Sequence, residues 1–161
     1  MEGDVEKFEI LLKNKAEWIQ DVIGFTPLHT AVFENCASVV EYIAENFNPA
    51  KYPSELMEIE DTIGETALLL AARIGYSQSL NILLKYKAKL NATDNEGNTA
   101  LHLATYYNHY DAVDILLRHI HLNDKLDIAS LKNTGGEVAR DLALKLENKE
   151  ILKLFEKYMV K

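Results

Sequence analysis

Cysteine is nearly absent from this chain. Its 161 residues include one, Cys36, so no internal disulfide can form, a usage that fits a reducing compartment. Long apolar runs are lacking too. No stretch approaches about 18 uninterrupted apolar residues, so membrane insertion is not expected. The charged start Met1-Glu2-Gly3-Asp4 does not read as a secretory signal. Positive charge is in deficit: 17 Lys and Arg stand against 25 Asp and Glu, for a net charge of −8 at pH 7. That balance argues against nucleic acid as the main ligand, because phosphate contacts need a basic surface. No G-x-x-x-x-G-K-S/T loop and no G-x-G-x-x-G after a strand offers a nucleotide site, and no convincing strand run is found. With 48% hydrophobic residues, the chain reads as one domain able to bury a sizeable core.

What is present is a repeat. The segments Asp21–Val40, Asp61–Leu80, Asp94–Val113 and Asn133–Leu152 echo one another, and their turn glycines Gly24, Gly64, Gly97 and Gly136 are spaced 40, 33 and 39 residues apart. Each unit reads as a tight turn and two short helices. Thr26, Thr66 and Thr99 stand where an N-cap hydroxyl would meet an orphan amide, and Pro27 suits a first helical position. Asn35, Gly75 and Asn108 are the residue types that best take the left-handed conformation ending a first helix. Apolar spacing then predicts second helices around Val39, Val40 and Ile43, around Leu80 to Leu84, around Val113 to Leu117, and around Ile151 to Phe155.

A period near 33, with Thr26-Pro27-Leu28-His29 and Thr99-Ala100-Leu101-His102, resembles the ankyrin repeat. The resemblance covers essentially the whole chain. It implies an all-α solenoid of helix-turn-helix units with β-turn fingers, built as one domain over residues 1–161. A half repeat is expected over 1–20, with full repeats over 21–60, 61–93, 94–132 and 133–161. In the half repeat, Val5, Phe8 and Leu12 lack an upstream neighbour; an upstream helix of a longer array, or self-association with a second copy, is expected to cover them. At the far end Val138, Arg140 and Asp141 replace the motif residues, and Lys149, Lys153 and Lys157 give the last helix the polar outer face of a C-terminal cap. Two insertions, within 48–60 and 121–132, fall between a second helix and the next finger. Ser54–Ile59 is expected to add a helical turn.

No catalytic constellation is visible. The resemblance implies that His29 and His102 hydrogen-bond to backbone in the neighbouring repeat, and Leu69 at the equivalent position predicts a softer joint. His119 and His121 lie near Asp124 and Asp127, but residues two apart do not share a helical face, and zinc needs three or four convergent ligands. Cys36 has no phased His or Asn to activate it. No enzyme activity, cofactor or metal is expected.

Function must then come from surface. The resemblance implies a concave groove lined by finger tips and the outward side of the first helices. Carried over unit by unit, it places there Val22, Ile23, Phe25, Phe33 and Glu34; Thr62, Ile63, Glu65, Arg73 and Ile74; Asn95, Glu96, Asn98, Tyr106 and Tyr107; and Thr134, Glu137 and Lys145. Aromatic residues over-represented on an exposed surface mark binding hot spots. The eight taken as partner-binding are Phe25, Phe33, Ile63, Arg73, Ile74, Asn98, Tyr106 and Tyr107. The expected function is a non-enzymatic module that binds a protein or peptide, in the cytoplasm. The alternative is a targeting or regulatory domain of a larger enzyme, channel or pathogen effector. Acidic residues at Glu41, Glu45, Glu55, Glu58, Glu60, Asp61 and Glu65 read as a solvated face, with docking of a basic partner as the alternative.

Overall fold

A threonine opens the first helix of three units. Thr26 and Thr66 sit in extended backbone, and their hydroxyls accept the amides of His29 and Leu69, both at 3.4 Å. In the fourth unit Val138 has no hydroxyl to offer, and the Asp141 carboxylate accepts the Val138 amide at 3.2 Å instead. The computed structural model describes residues 20–46, 56–125 and 127–159. The expected half-repeat helix and Ser54 lie outside them. The described residues carry eight α-helices in four pairs: α1 (Pro27–Phe33) and α2 (Ala37–Asn46), α3 (Ala67–Ile74) and α4 (Ser77–Lys85), α5 (Ala100–Tyr106) and α6 (Tyr110–Leu122), and α7 (Ala139–Lys145) and α8 (Lys149–Met159). No strand is found among the described residues.

The first helices α1, α3, α5 and α7 pack side by side as one row, and α2, α4, α6 and α8 form a second row behind it. Small residues make the close approach possible: Ala71, Ala72, Ala104 and Ala143 are fully buried between the rows. Leu28, Leu68, Leu101, Leu80, Leu83, Leu116 and Leu117 fill the rest of the core. Each such side chain contributes about 1.5–3 kcal/mol on leaving water. The apolar positions expected in the second helices are buried, except Ile115 and Leu152, which are half-buried at its edge.

Between the pairs, the fingers stack backbone against backbone. The side chain of Asp21 accepts the amides of Ile23 and Phe25 at 2.9 and 2.8 Å, and Asp61 and Asp94 do the same in their own fingers. This is the ability of Asp to imitate a turn of backbone. Each finger then reaches the next: Thr62 N–H donates to Ile23 O at 3.2 Å, Asn95 N–H to Ile63 O at 3.2 Å, and Thr134 N–H to Glu96 O at 2.9 Å. Gly24 (φ +81°) is required by this stacking, since a Cβ there would lie 2.7 Å from Thr62 N.

The first helices end in left-handed residues, as expected at Asn35 (φ 56°), Gly75 (φ 84°) and Asn108 (φ 62°). The fourth unit puts Glu147 there, at φ 53° and exposed. A non-glycine side chain in this region carries a steric penalty of about 1–2 kcal/mol. Glu147→Gly is therefore expected to stabilise the domain by about 1 kcal/mol in chemical denaturation; an unchanged or lowered midpoint would count against this account of the cap.

The described residues of both insertions fold onto the core. Leu56–Glu58 forms one 3₁₀ turn, from which Met57 and Ile59 pack against the core and Glu58 Oε1 accepts the Lys89 amide at 2.9 Å. In the second insertion, α6 runs on for 13 residues to Leu122, and a further 3₁₀ turn at Ile128–Ser130 buries Ile128 and Ala129. Helix α8 turns Ile151, Leu154, Phe155 and Tyr158 inward and leaves Lys149, Lys153 and Lys157 exposed.

Candidate functional site

In three of the four units the residue after the finger glycine meets the residue eight positions later on the first helix. In the first unit this pair is Phe25 and Phe33, edge to face at 5.8 Å. In the second it is Glu65 and Arg73, with Arg73 Nε donating to Glu65 Oε1 at 2.6 Å. In the fourth it is Glu137 and Lys145, an ion pair. The third unit has Asn98 and Tyr106 at these positions. Aromatic with aromatic and acid with base, the pairs match within units. That matching was legible in the sequence, and it identifies Glu65 as a partner of Arg73 rather than a solvated carboxylate. Glu65 is 1% exposed. Burial, the larger cause, pushes its carboxyl above the ordinary range, and Arg73 opposes this by stabilising the charged form.

Beside these pairs lies an open cleft of about 580 Å³, bounded by three fingers and by α3, α5 and α7. Ile63, Glu65, Arg73, Asp94, Asn95, Glu96 and Asn98 line one part of it, and His102, Leu103, Tyr106, Tyr107, Asn133, Glu137 and Leu142 the remainder. Tyr106 and Tyr107 meet edge to face at 5.1 Å and are 58% and 48% exposed. Of the eight residues taken as partner-binding, the cleft thus brings together Ile63, Arg73, Asn98, Tyr106 and Tyr107. The others stand apart. Phe33 is exposed, but Phe25 is half-buried, stacked on His29 at 5.5 Å, and belongs to the packing of its own finger. Ile74 is half-buried against the core. Val22, at the first finger tip, is 98% exposed.

Histidines tie the units together beneath the cleft. A carbonyl can only accept, so His29 Nε2–H donates to Glu65 O and His102 Nε2–H to Glu137 O, both at 2.9 Å. Their Nδ1 atoms accept from the hydroxyls of Thr26 and Thr99, each at 2.8 Å. Burial lowers both imidazole pKa values, outweighing the opposing hydrogen bonds to Glu65 and Glu137. Because the unfolded chain binds these protons more readily, their stabilising contribution is whole above pH 6.5 and is lost as pH falls below it. Glu65, with its raised pKa, contributes the opposite slope. A His29→Gln, His102→Gln variant isolates the imidazole part: its stability is expected to fall less than that of the parent between about pH 7 and pH 5. Identical slopes in a pH series of denaturant titrations would contradict the assignment.

Leu69 was expected to leave the joint between the second and third units soft. It is fully buried, and the same joint carries a different imidazole. His109 Nε2–H, at the start of α6, donates to Arg73 O at the end of α3, at 2.9 Å. Of the remaining histidines, His121 Nδ1–H donates to Tyr158 O in α8 at 3.0 Å, and His119 is half-buried. Much of the acidic cluster is engaged within the fold: Glu41 pairs with Lys85 at 2.8 Å, Glu58 caps Lys89, and Asp61 holds its finger.

Profiles of known families match this sequence. One of ankyrin repeats (3 copies) covers residues 51–126, and one of the single ankyrin repeat covers 23–51. The chain belongs to the ankyrin-repeat family. Among relatives, neurogenic locus notch homolog protein 1 of Mus musculus is 35% identical over 101 residues, 63% of this chain and 4% of that protein. The Xenopus laevis protein of the same name is 33% identical over 110 residues, 68% of this chain and 4% of its own. An ankyrin repeat protein of Acanthamoeba polyphaga mimivirus is 42% identical over 69 residues, 42% of this chain and 17% of the viral protein. The chain therefore spans a small part of the length of these relatives. Ankyrin repeats are a protein-interaction fold, and no helix among the described residues is long and apolar enough to cross a membrane.

Proposed function

We propose that this ankyrin domain is a non-enzymatic module that grips a protein or peptide in the cleft between its fingers and first helices. The observation carrying this reading is the pair Tyr106 and Tyr107, half-exposed on the wall of an open 580 Å³ cleft rather than turned into the core. Solvent-facing helix positions gain no packing stability from tyrosine, whereas a binding surface gains large, rigid contact area. Ile63, also exposed, adds apolar area on the finger side, and Phe33 adds more at the end of α1, outside the cleft. Its place of action is proposed to be the cytoplasm, where the free thiol of Cys36 is kept reduced. The test is affinity capture from a cell lysate, with the Tyr106→Glu variant run beside the parent. Proteins identified by mass spectrometry on the parent and lost from the variant are expected; equal retention on both would overturn the groove.

A second reading is favoured by the relatives. The curated proteins matched are longer, the aligned segments covering 4% of the Notch homologues and 17% of the viral protein. The domain would then target or regulate activity housed elsewhere in a larger chain. The two readings share the cleft and differ only in what the bound partner controls.

A further inference from the structure

Among the described residues, one carboxylate oxygen in the cleft has no donor and another carboxylate has one long contact. Four carboxylates line it, Glu65, Asp94, Glu96 and Glu137, against one guanidinium, Arg73. Asp94 is used up by the finger amides of Glu96 and Asn98 and by Asn98 Nδ2 at 3.1 Å. Glu137 is held by Lys145. Glu65 Oε1 takes Arg73, but Oε2 of this 1%-exposed residue has no partner. Glu96 lies exposed at the rim, with a single 3.4 Å contact from Asn98. A buried carboxylate oxygen without a donor is costly. The arrangement of pairs sharpens the point. Acid meets base in the second and fourth units, while the third places Tyr106 where its neighbours place Arg73 and Lys145. The third unit thus brings an aromatic ring rather than a cation to the cleft, between two units that each bring a carboxylate.

We infer that the cleft receives an arginine side chain of the partner, its guanidinium donating to Glu65 Oε2 and Glu96 and lying against the rings of Tyr106 and Tyr107. A guanidinium fits on three counts. It brings several planar donors and no acceptor, so it supplies what both carboxylates lack. Its face stacks on aromatic rings. Its charge answers the acidic excess of the cleft, where an anionic side chain would be repelled. Arg73 already spends its Nε on Glu65 Oε1 at 2.6 Å, which leaves Oε2 to the ligand. The inference rests on the reading of the cleft as the partner surface and deepens it by naming the recognised group.

The probe is acetyl-Gly-Arg-Gly-Arg-Gly-amide, titrated into the ¹⁵N-labelled domain beside the same peptide with citrulline, which keeps the shape and removes the charge. The arginine peptide is expected to shift the amides of Arg73, Glu96, Asn98 and Tyr107, and the citrulline peptide to leave them in place. Glu65→Gln is expected to weaken the arginine peptide about tenfold, as for loss of a charged hydrogen-bond partner, whereas Glu41→Gln should not. If Glu65→Gln fails to fold, the exposed pair Glu96→Gln and Tyr107→Leu takes its place, with the same expected loss. Equal response to both peptides, shifts centred on Glu41 and Glu45, or full affinity in the cleft variants would overturn the inference. A partner that still needs Tyr106 while the arginine peptide has no effect would leave the binding module standing and remove only the arginine.

Discussion

Tyr106→Ser is expected to weaken partner binding about 30-fold or more while hardly moving the denaturation midpoint. Truncating an aromatic anchor that becomes buried on binding typically costs about 2 kcal/mol or more. In the free domain the ring is 58% exposed, and its one aromatic neighbour among the described residues is Tyr107, at 5.1 Å. Losing that edge-to-face contact costs folding at most about 0.5–1.5 kcal/mol. Phe33→Ser should behave alike, since Phe33 is 53% exposed and leans edge-on against Phe25. On the opposite row, Glu41→Ala and Lys85→Ala break an ion pair whose two side chains are both well exposed. Such pairs are worth about 0–1 kcal/mol, and neither change should affect the partner. Calorimetry of binding and chemical denaturation on the same four variants separate the roles. A Tyr106→Ser domain several kcal/mol less stable would make the tyrosine a core residue and leave the cleft without its anchor.

The fold was legible because every unit repeats the same local instructions. Threonine caps, finger glycines and left-handed residues recur in phase, and each needs only its own neighbours to act. The exposed aromatics were legible for a related reason: they occupy slots the solenoid core does not use. Glu65 was misread because periodicity places a residue without saying what it faces. Glutamate on a finger reads as solvated until Arg73, eight residues on, is set opposite it, and only comparison of all four units shows that this pairing recurs as Phe25 with Phe33 and Glu137 with Lys145. The softness expected of the joint at Leu69 leaves His109 out of account. It counted one kind of link, the imidazole after a threonine cap, and the replacement comes from the opposite end of the helix.

Gly75→Ala is expected to destabilise the domain by roughly 2–4 kcal/mol, well beyond the cost of a left-handed alanine alone. That strain accounts for about 1–2 kcal/mol at φ +84°. The rest comes from His109, whose Nδ1 would lie 2.5 Å from the new Cβ. To make room the imidazole must leave, and Nε2 then releases Arg73 O, the link that stands in for the absent histidine at Leu69. An unsatisfied buried acceptor adds about 1–3 kcal/mol. Asn35 and Asn108 hold the same left-handed position in neighbouring units, so a side chain is tolerated there where no imidazole covers it. The double-mutant cycle decides the matter. With His109→Ala the clash is gone and the link is already lost, so adding Gly75→Ala should then cost only the backbone strain. Strictly additive effects would mean that the imidazole does not block Gly75, and a His109→Ala domain as stable as the parent would mean that it does not tie the second unit to the third, leaving the joint at Leu69 soft.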